Sequence, residues 1–141
     1  MMRTSTLILF ALLLASQGCR TFSGRPDPSW SADFDRAEAL SICSLDGTLD
    51  VSEPETIERF SEIYANAKWK YCWHTIAVYP DDSLALLRAD GTALRTFRYN
   101  DVLWELDDRN GVRTAELSDA DRTWIDSLFA RLPKPDAPDG G

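Results

Sequence analysis

Apolar and polar positions alternate with two different periods along this chain, and the places where the period changes mark the elements. Ile57, Phe60, Ile63, Tyr64 and Ala67 recur at steps of 3, 3, 1 and 3, which places them on one face of an α-helix. Ser52 and Glu55 have the S-x-x-E spacing of a capping box, with Glu53 and Pro54 suited to a first turn, so the helix is expected to open at Ser52 and end near Lys68. A second helix is expected from Ser118, with Asp121 three residues on and Trp124, Ile125, Leu128, Phe129 and Leu132 as its apolar face. Residues 37–45 read as a strand closed by a turn at Asp46-Gly47.

From Cys72 onward the period is two. Residues 75–79, 84–89, 92–99, 102–107 and 112–117 read as strands, the later ones separated by Asp90-Gly91, Asn100-Asp101 and Asn110-Gly111. Two-residue loops at all three pairs would set Leu84 opposite Phe97, Tyr99 opposite Val102, Phe97 opposite Trp104, Leu106 opposite Ala115 and Trp104 opposite Leu117. Those side chains would share one covered face, with Thr96, Arg98, Glu105 and Glu116 on the other. The expected fold is α+β, an antiparallel β-meander with two helices packed on its aromatic face, in the order β-α-β-β-β-β-β-α.

The most apolar run lies outside this pattern, at residues 7–15 (LILFALLLA), after a segment whose one charge is Arg3. Nine apolar residues are too few to span a bilayer, which needs about 20. They have the length of a secretory h-region, and the small residues Ala15, Ser16 and Gly18 follow. The stretch ASQGC resembles the lipobox of bacterial lipoprotein signal peptides. The resemblance implies cleavage before Cys19, a diacylglycerol on the Cys19 thiol and acylation of the new amine, with palmitate as a typical chain. It implies a protein of the bacterial cell envelope. Arg20 stands where an Asp would resemble an inner-membrane retention signal, so the expected place is the outer membrane, facing the periplasm. Leu, Val or Ile is usual in that family where Ser16 stands. Ser16-Gln17-Gly18 also suits an ordinary signal peptidase, so a secreted soluble periplasmic form is the alternative.

This address divides the chain into a signal peptide (residues 1–18), a flexible tether rich in Ser, Pro, Gly and charge (19–35), one small domain (36–132) and a disordered tail (133–141). With Cys19 taken by lipid, Cys43 and Cys72 remain, and in an oxidising compartment they are expected to form a disulfide. The chain of 141 residues carries a net charge of −8, and loss of the first eighteen residues removes one positive charge and leaves −9. That balance opposes a nucleic-acid partner and electrostatic docking on an anionic membrane. The expected partners are the membrane, through the N-terminal lipid, and an envelope protein.

Candidate chemistry is sparse. His74 is the single histidine, so any histidine-dependent catalysis must use it. Cys72, His74 and Cys43 would make only part of a zinc site, and neither a metal nor a cofactor is expected. The pairs Asp81-Asp82 and Asp107-Asp108 fit turn chemistry without any catalytic role. Trp69, Tyr71 and Trp73 alternate, so on a strand they share a face, either as core or as an aromatic strip for a protein or glycan. The chain contains no Walker loop, dinucleotide fingerprint or G-x-S-x-G elbow. The expected work is binding, inhibition or envelope maintenance without catalysis. The alternatives are a small hydrolase acting on cell-wall or glycan material, and a structural spacer with no specific ligand.

Overall fold

The computed structural model of the chain describes residues 29–72, 80–107 and 111–134. In chain order its elements are α1 (Trp30–Arg36), β1 (Ala39–Ser44), β2 (Gly47–Val51), α2 (Pro54–Asn66), β3 (Lys68–Cys72), β4 (Ser83–Leu87), β5 (Ala93–Tyr99), β6 (Val102–Asp107), β7 (Gly111–Glu116) and α3 (Asp119–Phe129). The seven strands form one antiparallel sheet in the order β2-β1-β4-β5-β6-β7-β3. The fold is thus α+β, as the pattern predicts, but only β4 to β7 follow one another as a meander. The strand at the start of the domain docks beside β4, and α2 carries the chain from β2 at one edge to β3 at the other. Its 13 residues span about 20 Å at 1.5 Å per residue.

One face of the sheet carries the core. Leu40, Ile42, Leu84, Leu86, Phe97, Leu103 and Ala115 point inward from the strands, and Phe60, Ile63 and Tyr64 of α2 meet them with Ile125 and Leu128 of α3. Phe60 packs edge-on to Phe97 at 5.2 Å between centroids, and Tyr99 stacks on Phe129 at 5.6 Å. Each such aromatic pair adds about 0.5–1.5 kcal/mol beyond its buried area.

Several expectations need correction. Residues 30–35, expected within the tether, belong to α1, whose Phe34 is buried against Phe60 and Tyr64. The turn at Asp46-Gly47 leads into a second strand, β2, that pairs with β1. The Ser52–Glu55 capping box does not form. The helix begins at Pro54 with Glu53 as its N-cap and no side-chain cap bond, because proline suits the first helical position and sets the start one residue later. Ser118 does cap α3, its hydroxyl accepting from the Asp121 amide at 3.1 Å. The strand expected at residues 75–79 lies outside the described residues.

The register holds at one hairpin of the three. Leu84 faces Phe97 as expected, with a bulge only beyond Leu86. At the next hairpin Tyr99 pairs with Leu103 and Phe97 with Glu105, so three residues rather than two make the turn. Asp101 takes φ of 62°, a left-handed conformation that Asp tolerates better than most residues. The extra residue turns β6 over. Leu103 and Glu105 face inward, while Trp104 and Leu106 face outward, Leu106 with 59% exposure. From β6 to β7 Leu106 pairs with Val112 and Leu103 with Ala115, again shifted from the expected pairs.

Candidate functional site

The inversion of β6 brings a carboxylate into the core. Glu105 is 3% exposed and sits directly across from Arg113 on β7 and from Phe97 on β5. A buried ion must be paired and hydrogen-bonded to be tolerated, and Glu105 is. One carboxylate oxygen accepts from the Arg95 guanidinium; the other accepts from Arg113 Nη2 at 2.9 Å and from the Tyr64 hydroxyl at 2.9 Å. Arg95 also reaches α1. Its Nε and Nη2 donate to Asp33 Oδ2 at 3.0 and 2.8 Å, and Nη2 donates to the Ser29 hydroxyl at 3.1 Å. Both guanidiniums lie over aromatic rings, Arg95 over Tyr64 and Arg113 over Trp69, each 5.8 Å from the centroid.

The network shifts the titration of Tyr64 and Arg95. Burial, then the Glu105 charge and its hydrogen bond, push the Tyr64 hydroxyl well above the ordinary tyrosine value. Burial opposes the charge on Arg95, but the Glu105 charge and the Asp33 hydrogen bond outweigh it and raise the guanidinium above its usual value. Both shifts favour the protonated forms, the phenol of Tyr64 and the guanidinium of Arg95.

Above this network the sheet is split. The β5–β6 ladder ends at the Phe97–Glu105 pair, although β5 begins at Ala93 and β6 runs on to Asp107. The gap opens into a cleft of about 420 Å³ whose walls include Leu94, Thr96, Arg98, Trp104 and Leu106 beside the ionic network. That is the size of a small-molecule site. Three guanidiniums (Arg95, Arg98, Arg113) line it against two carboxylates (Asp33, Glu105), in a chain whose net charge is −8.

A second hollow, of about 540 Å³, gathers Asp46, Asp81, Asp82, Asp101 and Asp126 around Tyr99. Burial, then the charges of Asp81 and Asp46, raise the Asp82 carboxyl above its ordinary value. The Tyr99 hydroxyl donates to Asp126 Oδ1 at 2.7 Å. Among the described residues, no three His, Cys, Asp or Glu side chains are disposed to hold a metal ion.

The residues singled out in the sequence are scattered. Cys19, Trp73, His74 and Asp108 lie outside the described residues. Trp69 is 4% exposed and donates its indole N–H to the Tyr64 carbonyl at 2.9 Å, so it serves the core and not an aromatic docking strip. Tyr71 is half-buried on the same face. Cys43 carries a free thiol on β1, which takes a hydrogen bond from the Thr48 hydroxyl at 3.4 Å. Cys72 ends β3 at the far edge, with β4, β5, β6 and β7 between the two strands. At about 4.8 Å per strand that order gives the expected Cys43–Cys72 bridge no support, since a disulfide needs Cα atoms within about 7 Å.

Arg95, Glu105 and Arg113 were not singled out in the sequence. The available signal was the turn: a three-residue reading of the β5–β6 loop places Glu105 inward, where only a paired carboxylate is tolerated, and Arg113 is then its natural partner. No helix among the described residues is long and apolar enough to cross a membrane. Compared with protein-family models, curated proteins and solved structures, the chain matches none.

Proposed function

We propose that this chain is a lipid-anchored protein of the bacterial cell envelope whose folded unit works by binding and not by catalysis. The address rests on the N-terminal pattern that ends in ASQGC, with Cys19 as the lipidated residue. Ten residues separate Cys19 from Trp30, where α1 begins. At about 3.5 Å per residue their reach is at most about 35 Å, which holds the folded unit close to the membrane. Its acidic balance keeps it off an anionic surface, so the acyl chains and not the charges supply the attachment.

The observation that carries the binding reading is the state of the groups in the cleft. Both oxygens of Glu105 are occupied by donors, and the Tyr64 hydroxyl keeps its proton. Such a network holds a shape and a charge pattern. It offers a substrate neither a base nor a nucleophile. The cleft beside it presents a guanidinium, Arg98, next to Trp104 and Leu106, the combination of one polar anchor and an apolar wall that small-ligand sites use.

Metabolic labelling with palmitate tests the anchor. Wild-type chain should incorporate label and Cys19→Ala should not, with the variant released from the membrane fraction. Equal labelling of the two would refute lipidation. For the binding reading, the purified protein should retain a defined ligand or partner from envelope extract. Retention of nothing would leave the spacer reading in its place.

A further inference from the structure

Asp33 differs from the rest of the ionic network in where it comes from. Glu105, Arg95 and Arg113 are carried by three adjacent strands, β6, β5 and β7. Asp33 comes from α1, the first element after the segment that leads back to Cys19. Its carboxylate sits against Nε and Nη2 of Arg95, the edge of a guanidinium that recognises carboxylates side-on. The adjoining cleft has a second guanidinium in Arg98, whose Nη1 lies 3.5 Å from the Asp81 carbonyl, and an apolar wall in Leu94, Trp104 and Leu106. The element carrying Asp33 is only seven residues long, too short to be helical by itself. Phe34 and the half-buried Trp30 hold it on Phe60 and Tyr64 of α2, and the Arg95 contacts tie it to the sheet.

We propose that the cleft carried by Arg95, Arg98 and Arg113 is a receptor for a carboxylate borne on a small apolar stem, and that Asp33 of α1 is its built-in occupant. The inference deepens the binding reading above and names the ligand chemistry at that same cleft. An incoming carboxylate takes the Arg95 edge from Asp33, its stem packs on Trp104 and Leu106, and α1 loses its ionic tie to β5 and loosens. The excess of positive charge lining the cleft, in an otherwise acidic protein, favours such a ligand over a neutral one.

The test uses the full chain in detergent micelles, titrated with phenylacetate and with its neutral analogue phenylacetamide, and read at the Trp104 indole resonance. Phenylacetate should bind saturably and phenylacetamide should not. Asp33→Asn empties the receptor of its occupant and should bind phenylacetate at least tenfold tighter than wild type, whereas Arg98→Gln should bind at least fivefold weaker. Amide exchange across Trp30–Arg36 in the wild-type chain should quicken as phenylacetate saturates. Equal affinity of Asp33→Asn and wild type, equal binding of the two probes, or no binding by any of the proteins would overturn the proposal. Should Asp33→Asn fail to fold, unchanged protection of Trp30–Arg36 in phenylacetate-loaded wild type overturns it alone. These outcomes do not depend on palmitate labelling at Cys19, so a failed anchor and a failed receptor are told apart.

Discussion

Glu105 shows how one side chain can organise its surroundings. Its carboxylate is buried among three donors, and each donor has a second role: Arg95 holds α1, Arg113 lies on Trp69, and Tyr64 packs against Phe34 and Phe97. A buried ion pair adds little net stability when compared with apolar residues of the same size, because desolvation offsets the attraction. Removing only one partner is another matter, since it leaves charge buried without compensation. Glu105→Ala takes from Arg95 and Arg113 the carboxylate they share, although Arg95 keeps Asp33, and is expected to cost about 3–5 kcal/mol in urea denaturation. The triple replacement Arg95→Met, Glu105→Leu, Arg113→Met should recover part of that loss, leaving Arg98 and Asp33 as the charges of the cleft. A single-variant loss below about 1 kcal/mol would mean that the network is not buried as described. At Asp82, by contrast, burial and then the charges of Asp81 and Asp46 make the group harder to ionise than usual.

At the scale of elements, the β5–β6 hairpin decides most. Asn100-Asp101 suits a two-residue turn, and the chain makes a three-residue one, with Asp101 left-handed and the Asn100 amide bonded to the Val102 carbonyl at 3.2 Å. A one-residue slip exchanges the two faces of a strand. Burial arbitrates between the registers. The two-residue turn would bury Trp104 and Leu106, and the three-residue turn buries Leu103 together with a paired Glu105. Left-handed backbone costs a β-branched residue about 1–2 kcal/mol and glycine almost nothing. Asp101→Gly should therefore raise the unfolding midpoint slightly and Asp101→Val should lower stability by about 1–2 kcal/mol, measured by thermal unfolding. Equal stability of the two variants would show that the left-handed turn is not maintained. Helix starts follow the same logic of competing local signals. Ser118 caps α3 as its spacing suggests, whereas Pro54 at the first position of α2 displaces the cap from Ser52 to Glu53.

The whole molecule is a sheet whose order could not be inferred from neighbouring segments alone. β1 docks between β2 and β4, and β3 closes the far edge beside β7, so the cysteines of β1 and β3 are carried to distant parts of the sheet. Cys43 should accordingly react with an alkylating reagent without prior reduction, and peptide mapping of the non-reduced protein should find it unbridged. Recovery of a Cys43–Cys72 linked peptide would require a different strand order. Local pattern sufficed for the α+β class, for α2 and α3, for β4 to β7 within a residue or two, and for the Leu84–Phe97 register, because each depends on a period, a cap or a tight turn within a few residues. The amphipathic content of α1 was hidden in a Ser- and Asp-rich stretch, since only Trp30 and Phe34 face the core and they need Tyr64 and Phe60 to pack against. The N-terminal pattern alone supports the proposed address and the proposed anchor at Cys19. Tertiary structure alone decided which strands are neighbours, which way β6 faces and that Glu105 meets Arg95 and Arg113. The physical reason is that periodicity records whether a face is covered, while pairing between distant segments and the partner of a buried charge are settled only when the remaining elements take their places around it.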